Sequence, residues 1–163
     1  MEKNACTFIS SALTDFSFGY DFTSFKCISL KLQLAHYISD MYKAGVREFY
    51  SVCEEGIDLW AAEIVTYIMR DDPETKLHCV IPYEEQAAKW HSSTRELYYR
   101  VLEQATDVIF VNKHYTEDCL AAARYMVLDH CKSVFASVKE GKENEFVRYS
   151  GLSRKDIFAV SCA

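Results

Sequence analysis

Residues 53–58, CEEGID, set three carboxylates around one glycine. Glu54 and Glu55 precede Gly56, and Asp58 follows it closely. Carboxylates in such a cluster can split their pKa values and act as an acid–base pair. They can also hold a hard cation such as Mg²⁺ or Ca²⁺. An apolar run, VREFYSV (46–52), leads into this turn, and a helical pattern, IDLWAAEIV (57–65), leaves it. Junctions of this kind offer backbone N–H groups and the positive end of a helix to a phosphate. Here two acidic side chains stand at that place. At ~4 Å and a near-surface dielectric, each like-charge contact would cost up to roughly 4 kcal/mol. A helix terminus contributes only about 0.3–1 kcal/mol in the other direction. Pointing inward, the acids would occupy the anion site themselves; pointing outward, they would simply stabilise the first helical turn. Asp58 either caps backbone amides or faces a ligand, and Glu63 either faces a ligand or pairs with a helix neighbour.

Other groups with chemistry fall after other apolar runs. Tyr83, Glu84, Glu85 and Gln86 follow KLHCVIP, where an aromatic ring can stack on a base and a carboxylate can accept from a ribose hydroxyl; Pro82 also fits a plain strand stop. Tyr115 and Thr116 follow DVIFVN, and Trp90 serves either packing or stacking. Arg124 is the nearest basic residue able to grip a phosphate bidentately. Ser10 and Ser11 open the turn after the first run. Lys132, Lys139 and Lys142 make a weak basic spot, diluted by Glu140, Glu143 and Glu145. The histidines and cysteines lack metal-ligand spacing, so no metal site and no cofactor is expected. Cys131 stands beside His130 with no third group to orient them, which argues against thiol catalysis. No P-loop, G-x-G-x-x-G or G-x-S-x-G occurs.

These groups need elements to position them. Six short apolar segments read as strands: 5–10, 46–52, 76–82, 107–112, 133–138 and 156–161. Helical patterns separate them. After Ser24, a stripe of Phe25, Ile28, Leu32, Ala35, Ile38 and Met41 runs to a stop at Gly45. Ile57, Trp60, Ala61, Ile64, Val65 and Ile68 form a second stripe, ending near Asp72-Pro73. Ser93 and Glu96 have capping-box spacing, and Thr116 is placed to cap a further helix whose first turn holds Glu117 and Asp118. The connection 139–155 leaves room for one helix at most. Strands alternating with helices call for right-handed βαβ units and a mostly parallel sheet. The expectation is an α/β, doubly wound, Rossmann-like three-layer sandwich spanning 1–163 as a single domain. In such a fold ligands bind beyond the carboxyl ends of the strands. That rim is built from loops 10–21, 53–58, 83–90, 112–119 and 139–145.

Composition narrows the classes. The chain has 163 residues, half of them hydrophobic, enough for one folded domain with a core. Its net charge of −6 argues against nonspecific nucleic-acid binding, though not against a nucleotide. Seven cysteines without a C-x-x-C pair, and a start (MEKNACTF) without a hydrophobic run, predict reduced, mostly buried thiols and a cytoplasmic location. No stretch approaches the length of a membrane span.

Read together, FGYD (18–21), GIDLWAAEIV (56–65), IPYEEQAAKW (81–90), Tyr98, YTEDC (115–119) and RYMV (124–127) resemble the YpsA-like family. That family, formerly a domain of unknown function, belongs to the bacterial-type SLOG superfamily of Rossmann-like folds. Matching RYMV takes a compensating shift; in the ungapped register Arg124 stands where relatives carry Asn. Three binding turns depart from the family pattern. A Thr-Gly-His-Arg-type turn is replaced by Ser10-Ser11-Ala12-Leu13, a Gly-rich turn by Val52-Cys53-Glu54-Glu55-Gly56, and a Gly-Gly-Thr-like element by Gly141–Glu145.

The resemblance implies a nucleotide-derived small-molecule ligand. The site residues it and the rim loops indicate are Ser10, Ser11, Glu54, Glu55, Gly56, Asp58, Tyr83, Glu85, Tyr115 and Arg124. Some superfamily members cleave N-glycosidic bonds using a Pro-Gly-Gly-x-Gly-Thr motif, which this chain lacks. The first expectation is therefore a binding or sensing domain without turnover. The alternatives are a nucleoside or nucleotide hydrolase using loop carboxylates, and a degenerate protein-interaction scaffold. A homodimer is compatible with all three.

Overall fold

The computed structural model describes residues 3–161. The elements run in the order β1 (Lys3–Ser10), α1 (Phe25–Lys43), β2 (Glu48–Ser51), α2 (Ile57–Asp71), β3 (Lys76–Tyr83), α3 (Ser92–Gln104), β4 (Asp107–Asn112), α4 (Cys119–His130), β5 (Cys131–Val138), α5 (Glu145–Leu152) and β6 (Asp156–Ser161). Strand and helix alternate throughout, as the apolar runs and stripes predict. The six strands form one sheet in the order β4-β3-β2-β1-β5-β6. Every pairing in it is parallel.

Alternation along each strand sends side chains to two faces. Cys6 and Phe8 of β1 join Phe49, Leu77, Cys79 and Ile81 under α1, α2 and α3. Ala5, Tyr50, Val52 and Val80 face Ala123 and Val127 of α4. Ile9, Val134 and Ala136 meet Leu128, Phe146 and Val147, which brings α5 onto that same side. The architecture is a doubly wound α/β/α sandwich. From β1 the chain winds outward to β4, then returns to lay β5 on the other side of β1. The topological switch point therefore lies between β1 and β5.

Several local expectations are corrected. The buried face of α1 consists of Cys27, Leu30, Leu34, Tyr37 and Ile38. Phe25 is 84% exposed and Leu32 60%, so the first half of the expected stripe faces outward, while Ile38 is buried and Met41 packs against the core. The N-cap of α3 is His91, whose ring nitrogen accepts from the Ser93 amide, and not Ser93. Helix α4 starts at Cys119; Thr116 precedes it, its hydroxyl donating to Asp118. Gly45 does end α1, with φ of +101°. Six cysteines are buried free thiols, while Cys162 lies outside the described residues. No helix among the described residues is long and apolar enough to cross a membrane.

Candidate functional site

Strand β2 is short, and past it the chain turns sharply. Cys53 takes a left-handed φ of +54°, unusual outside glycine. Ser51 holds the bend: its hydroxyl accepts from the Cys53 amide at 3.0 Å and donates to the Asp58 carbonyl at 2.8 Å. Gly56 follows with φ of +107°, and α2 begins. A Cβ at Gly56 would lie 2.9 Å from Cδ2 of Leu13. The buried Leu13 side chain, from the turn after β1, thus rests on the glycine that opens α2.

The carboxylates of this turn have separate fates. Arg124 of α4, 1% exposed, reaches across to them. Its guanidinium donates to both oxygens of Asp58, at 3.1 and 2.8 Å, to Oε2 of Glu54 at 2.9 Å, and to the Phe8 carbonyl at 3.1 Å. Asp58 is 1% exposed, and it makes no cap for the α2 amides. The side chain of Glu54 is about a third exposed. Burial raises the Glu54 pKa; the Arg124 charge opposes that rise and the Asp58 charge adds to it. Burial alone would depress the Arg124 pKa, but Asp58 and Glu54 raise it well beyond its ordinary value. With both acids ionised, two negative charges face one positive charge. Glu55 turns the other way, toward the hydroxyl of Tyr20, which opposes the upward push of burial on its pKa.

Beside this cluster, at the carboxyl ends of β2, β3 and β4, lies a cavity of about 170 Å³. Glu54, Tyr83, Gln86, Trp90, Tyr115 and Cys119 are among its walls. Tyr83 and Tyr115 meet edge to face at 5.4 Å between ring centroids. Trp90 packs edge-on against the buried Tyr98 at 5.2 Å. The amide of Gln86 is 8% exposed, and its nitrogen donates to the Val52 carbonyl at 3.4 Å. Its Oε1 is buried and finds no hydrogen-bond partner among the described residues. Cys119 is the first residue of α4, and the N-cap Asp118 gives that helix no side-chain cap.

Trp90 also borders a groove of about 540 Å³ shared with Tyr20, Phe22, Glu55, Lys89 and His91. A third hollow, about 260 Å³, sits at the switch point and is lined by Ser10, Ser11, Asp15, Lys142 and Asn144. There the Ser11 amide donates to the Ser137 carbonyl at 3.0 Å, and the Ser11 hydroxyl accepts from the Lys139 amide at 2.9 Å.

The sequence-predicted residues are therefore distributed over one rim in three places. Glu54, Asp58, Tyr83, Tyr115 and Arg124 come together around the small cavity or the ion cluster behind it. Glu55 belongs to the neighbouring groove, and Ser10 and Ser11 to the switch-point hollow. Gly56 is covered by Leu13, and Glu85 stands exposed on its turn. Glu63 pairs with Arg100 of α3 at 3.3 Å. Gln86 and Leu13 were absent from the sequence-derived set. Gln86 closes the Tyr83–Gln86 stretch and the matched IPYEEQAAKW, which was the available signal, while a leucine in place of a turn arginine reads only as a loss.

The chain's likeness to known proteins follows the same span. The YspA SLOG family model matches residues 14–151. A UPF0398 protein of Halalkalibacterium halodurans is 30% identical over 84 residues, covering 52% of this chain and 44% of that protein. A UPF0398 protein of Bacillus cereus strain AH187 is 32% identical over 98 residues, covering 59% and 51%. One from Staphylococcus epidermidis strain RP62A is 26% identical over 103 residues, covering 62% and 55%. The chain spans about half the length of the curated relatives it matches.

Proposed function

The chain belongs to the YspA SLOG family, and from that premise we propose that it binds or senses a nucleotide-derived small molecule without turning it over. The observation that carries this reading is the aromatic cavity at the carboxyl ends of β2–β4. Tyr83, Tyr115 and Trp90 offer ring surface beyond the carboxyl ends of the strands, the rim on which doubly wound sheets receive ligands, to one side of the switch point between β1 and β5. The Cys119 amide is taken by the Thr116 carbonyl, so the start of α4 adds the amides of Leu120 and Ala121 beside them. Absence of turnover is supported by the ion cluster. Asp58, one of the candidates for acid or base, is 1% exposed with both oxygens bound to the buried Arg124 guanidinium, so it is closed to a substrate in the cavity.

Calorimetry against adenosine, guanosine, their monophosphates, ADP-ribose and NAD tests the reading. At least one saturable binder is expected, with no base or sugar phosphate released on long incubation. Silence across the panel from folded protein would overturn binding. Release that disappears in Glu54→Gln would instead establish the hydrolase. A cytoplasmic location accords with the buried thiols. The outward apolar residues Phe25, Ile28 and Leu32 of α1 support a homodimer, which sedimentation of the wild type beside Leu32→Lys would test.

A further inference from the structure

The small cavity has features that select among nucleotide-derived ligands. Three observations bear on it. First, the place beside the start of α2 where a phosphate would sit is filled. Leu13 rests on Gly56, and the Arg124 guanidinium is occupied by Asp58, Glu54 and the Phe8 carbonyl. The cluster sets two carboxyl groups against one guanidinium, so a phosphate brought to Arg124 would have to displace one of them from a buried pair. Second, the cavity holds about 170 Å³, below the roughly 300–1,000 Å³ of sites that enclose a whole drug-sized ligand. A flat heterocycle fits that space, with anything attached to it left outside. Third, the buried Oε1 of Gln86 lacks a partner among the described residues. A buried acceptor without a donor is costly, and such atoms are uncommon in folded proteins.

We infer that this cavity takes an uncharged, amino-bearing nucleobase, free or as its nucleoside, with no contribution from phosphate. Gln86 Oε1, closed to water in the empty protein, accepts from the exocyclic amine or a ring N–H when its amide turns toward the cavity, and Oε1 of Glu54, which the Arg124 contact leaves free, provides a second acceptor. The amides opening α4 donate to a ring nitrogen or carbonyl of the base. Tyr83, Tyr115 and Trp90 supply the aromatic surface. The inference rests on the proposal that the domain binds a nucleotide-derived molecule, and it narrows which part of that molecule is recognised.

Calorimetric titrations of the full chain test it with matched probes. These are adenosine against purine riboside, guanosine against inosine, and each amino-bearing nucleoside against its monophosphate. Inorganic phosphate serves as competitor, and Gln86→Leu as the variant. The expected result is saturable binding of adenosine or guanosine, weakened about tenfold or more when the amine is absent and by a similar factor in Gln86→Leu. The monophosphate should bind within about threefold of its nucleoside, and phosphate should not compete. Empty Gln86→Leu should melt close to the wild type, because it removes an unpaired buried acceptor but also the long Nε2 donation to the Val52 carbonyl. A monophosphate preference of tenfold or more, competition by phosphate, indifference to the amine, or unchanged binding by folded Gln86→Leu would each overturn the inference while leaving a nucleotide-binding domain. If no nucleoside, monophosphate, ADP-ribose or NAD binds, both this inference and the proposed function fall.

Discussion

Replacing Arg124 with Met removes the one cation that the buried end of the rim depends on. Four hydrogen bonds go: two to Asp58, one to Glu54 and one to the Phe8 carbonyl. What remains is a carboxylate at 1% exposure, a second one about a third exposed, and an orphaned carbonyl. Removing one partner of a buried pair costs about 3–5 kcal/mol, since the charge left behind is neither hydrated nor paired. Domains have about 5–15 kcal/mol in total, so the loss is a large fraction of stability. At about 2–4 °C per kcal/mol for a chain of this size, the melting temperature should fall by about 6–20 °C. Urea denaturation followed by circular dichroism at neutral pH gives the number directly. A charge-free triple variant, Arg124→Met with Asp58→Asn and Glu54→Gln, separates loss of packing from stranded charge. It should return to within about 1–2 kcal/mol of wild type, because no buried ion is left to desolvate. Acid sharpens the test. The folded Glu54 pKa already lies above 4.5. Between the unfolded and folded pKa the native state therefore binds more protons, and stability falls as pH rises through that window. Without Arg124 the opposing attraction is gone, so the slope should steepen and the single variant should recover stability on mild acidification. A loss below about 1 kcal/mol for Arg124→Met, or a triple variant as unstable as the single, would refute the view of these charges as a buried set.

Gly56→Ala should destabilise by about 1–3 kcal/mol, from the left-handed backbone and the contact with Leu13, and Leu13→Ala in the same chain should restore part of the steric share in a double-mutant cycle. On α1, Leu34→Ala should cost about 2–5 kcal/mol and Leu32→Gln less than about 0.5 kcal/mol in denaturant titrations, since only the first is buried. Asp72 is held below its ordinary 3.8, first by the Tyr42 hydroxyl and then by the Glu74 amide. A depressed carboxylate contributes stability above its unfolded pKa and loses it as pH falls through the folded one. Tyr42→Phe should therefore raise the Asp72 pKa in an NMR titration and lessen the acid sensitivity of folding.

The sheet was legible because each strand covered on both faces is written as an apolar run, and the α2 stripe because Ile57, Trp60, Ala61 and Val65 all point into the core. The face of α1 was not. Phe25, Ile28 and Leu32 have helical spacing and greater bulk than Cys27, yet the buried stripe is the one that carries Cys27, Leu30, Leu34 and Tyr37 to the sheet. Two apolar stripes on one helix leave periodicity without a preference, and tertiary packing decides. The ion cluster was half legible. Three acids in CEEGID called for a cation, but Arg124 lies 66 residues from Asp58 and 70 from Glu54, and only the crossing of α4 over the sheet makes them neighbours. Spacing along a chain reports contacts within one element, not those made by topology. Gln86 was legible only as the last residue of the Tyr83–Gln86 stretch and part of IPYEEQAAKW, because an acceptor is revealed as unpaired only once the surrounding chain has been placed around it.

Leu13 and Glu54 belong to two of the turns that depart from the family pattern, and Arg124 belongs to α4. Leu13, Glu54 and Arg124 lie in separate segments, yet physically they form one structure. Acids at the turn without the arginine would strand negative charge beside a buried aspartate; the arginine without the acids would be a buried, unpaired cation. Leu13 closes over the glycine that would otherwise present the start of α2 to solvent. The acids and the arginine are matched, at a cost in buried charge that apolar residues would not have incurred. The rim behind the cavity is thus closed by its own carboxylates and their shared guanidinium, and under the proposed binding role selectivity at its mouth would come from aromatic surface and neutral hydrogen bonding.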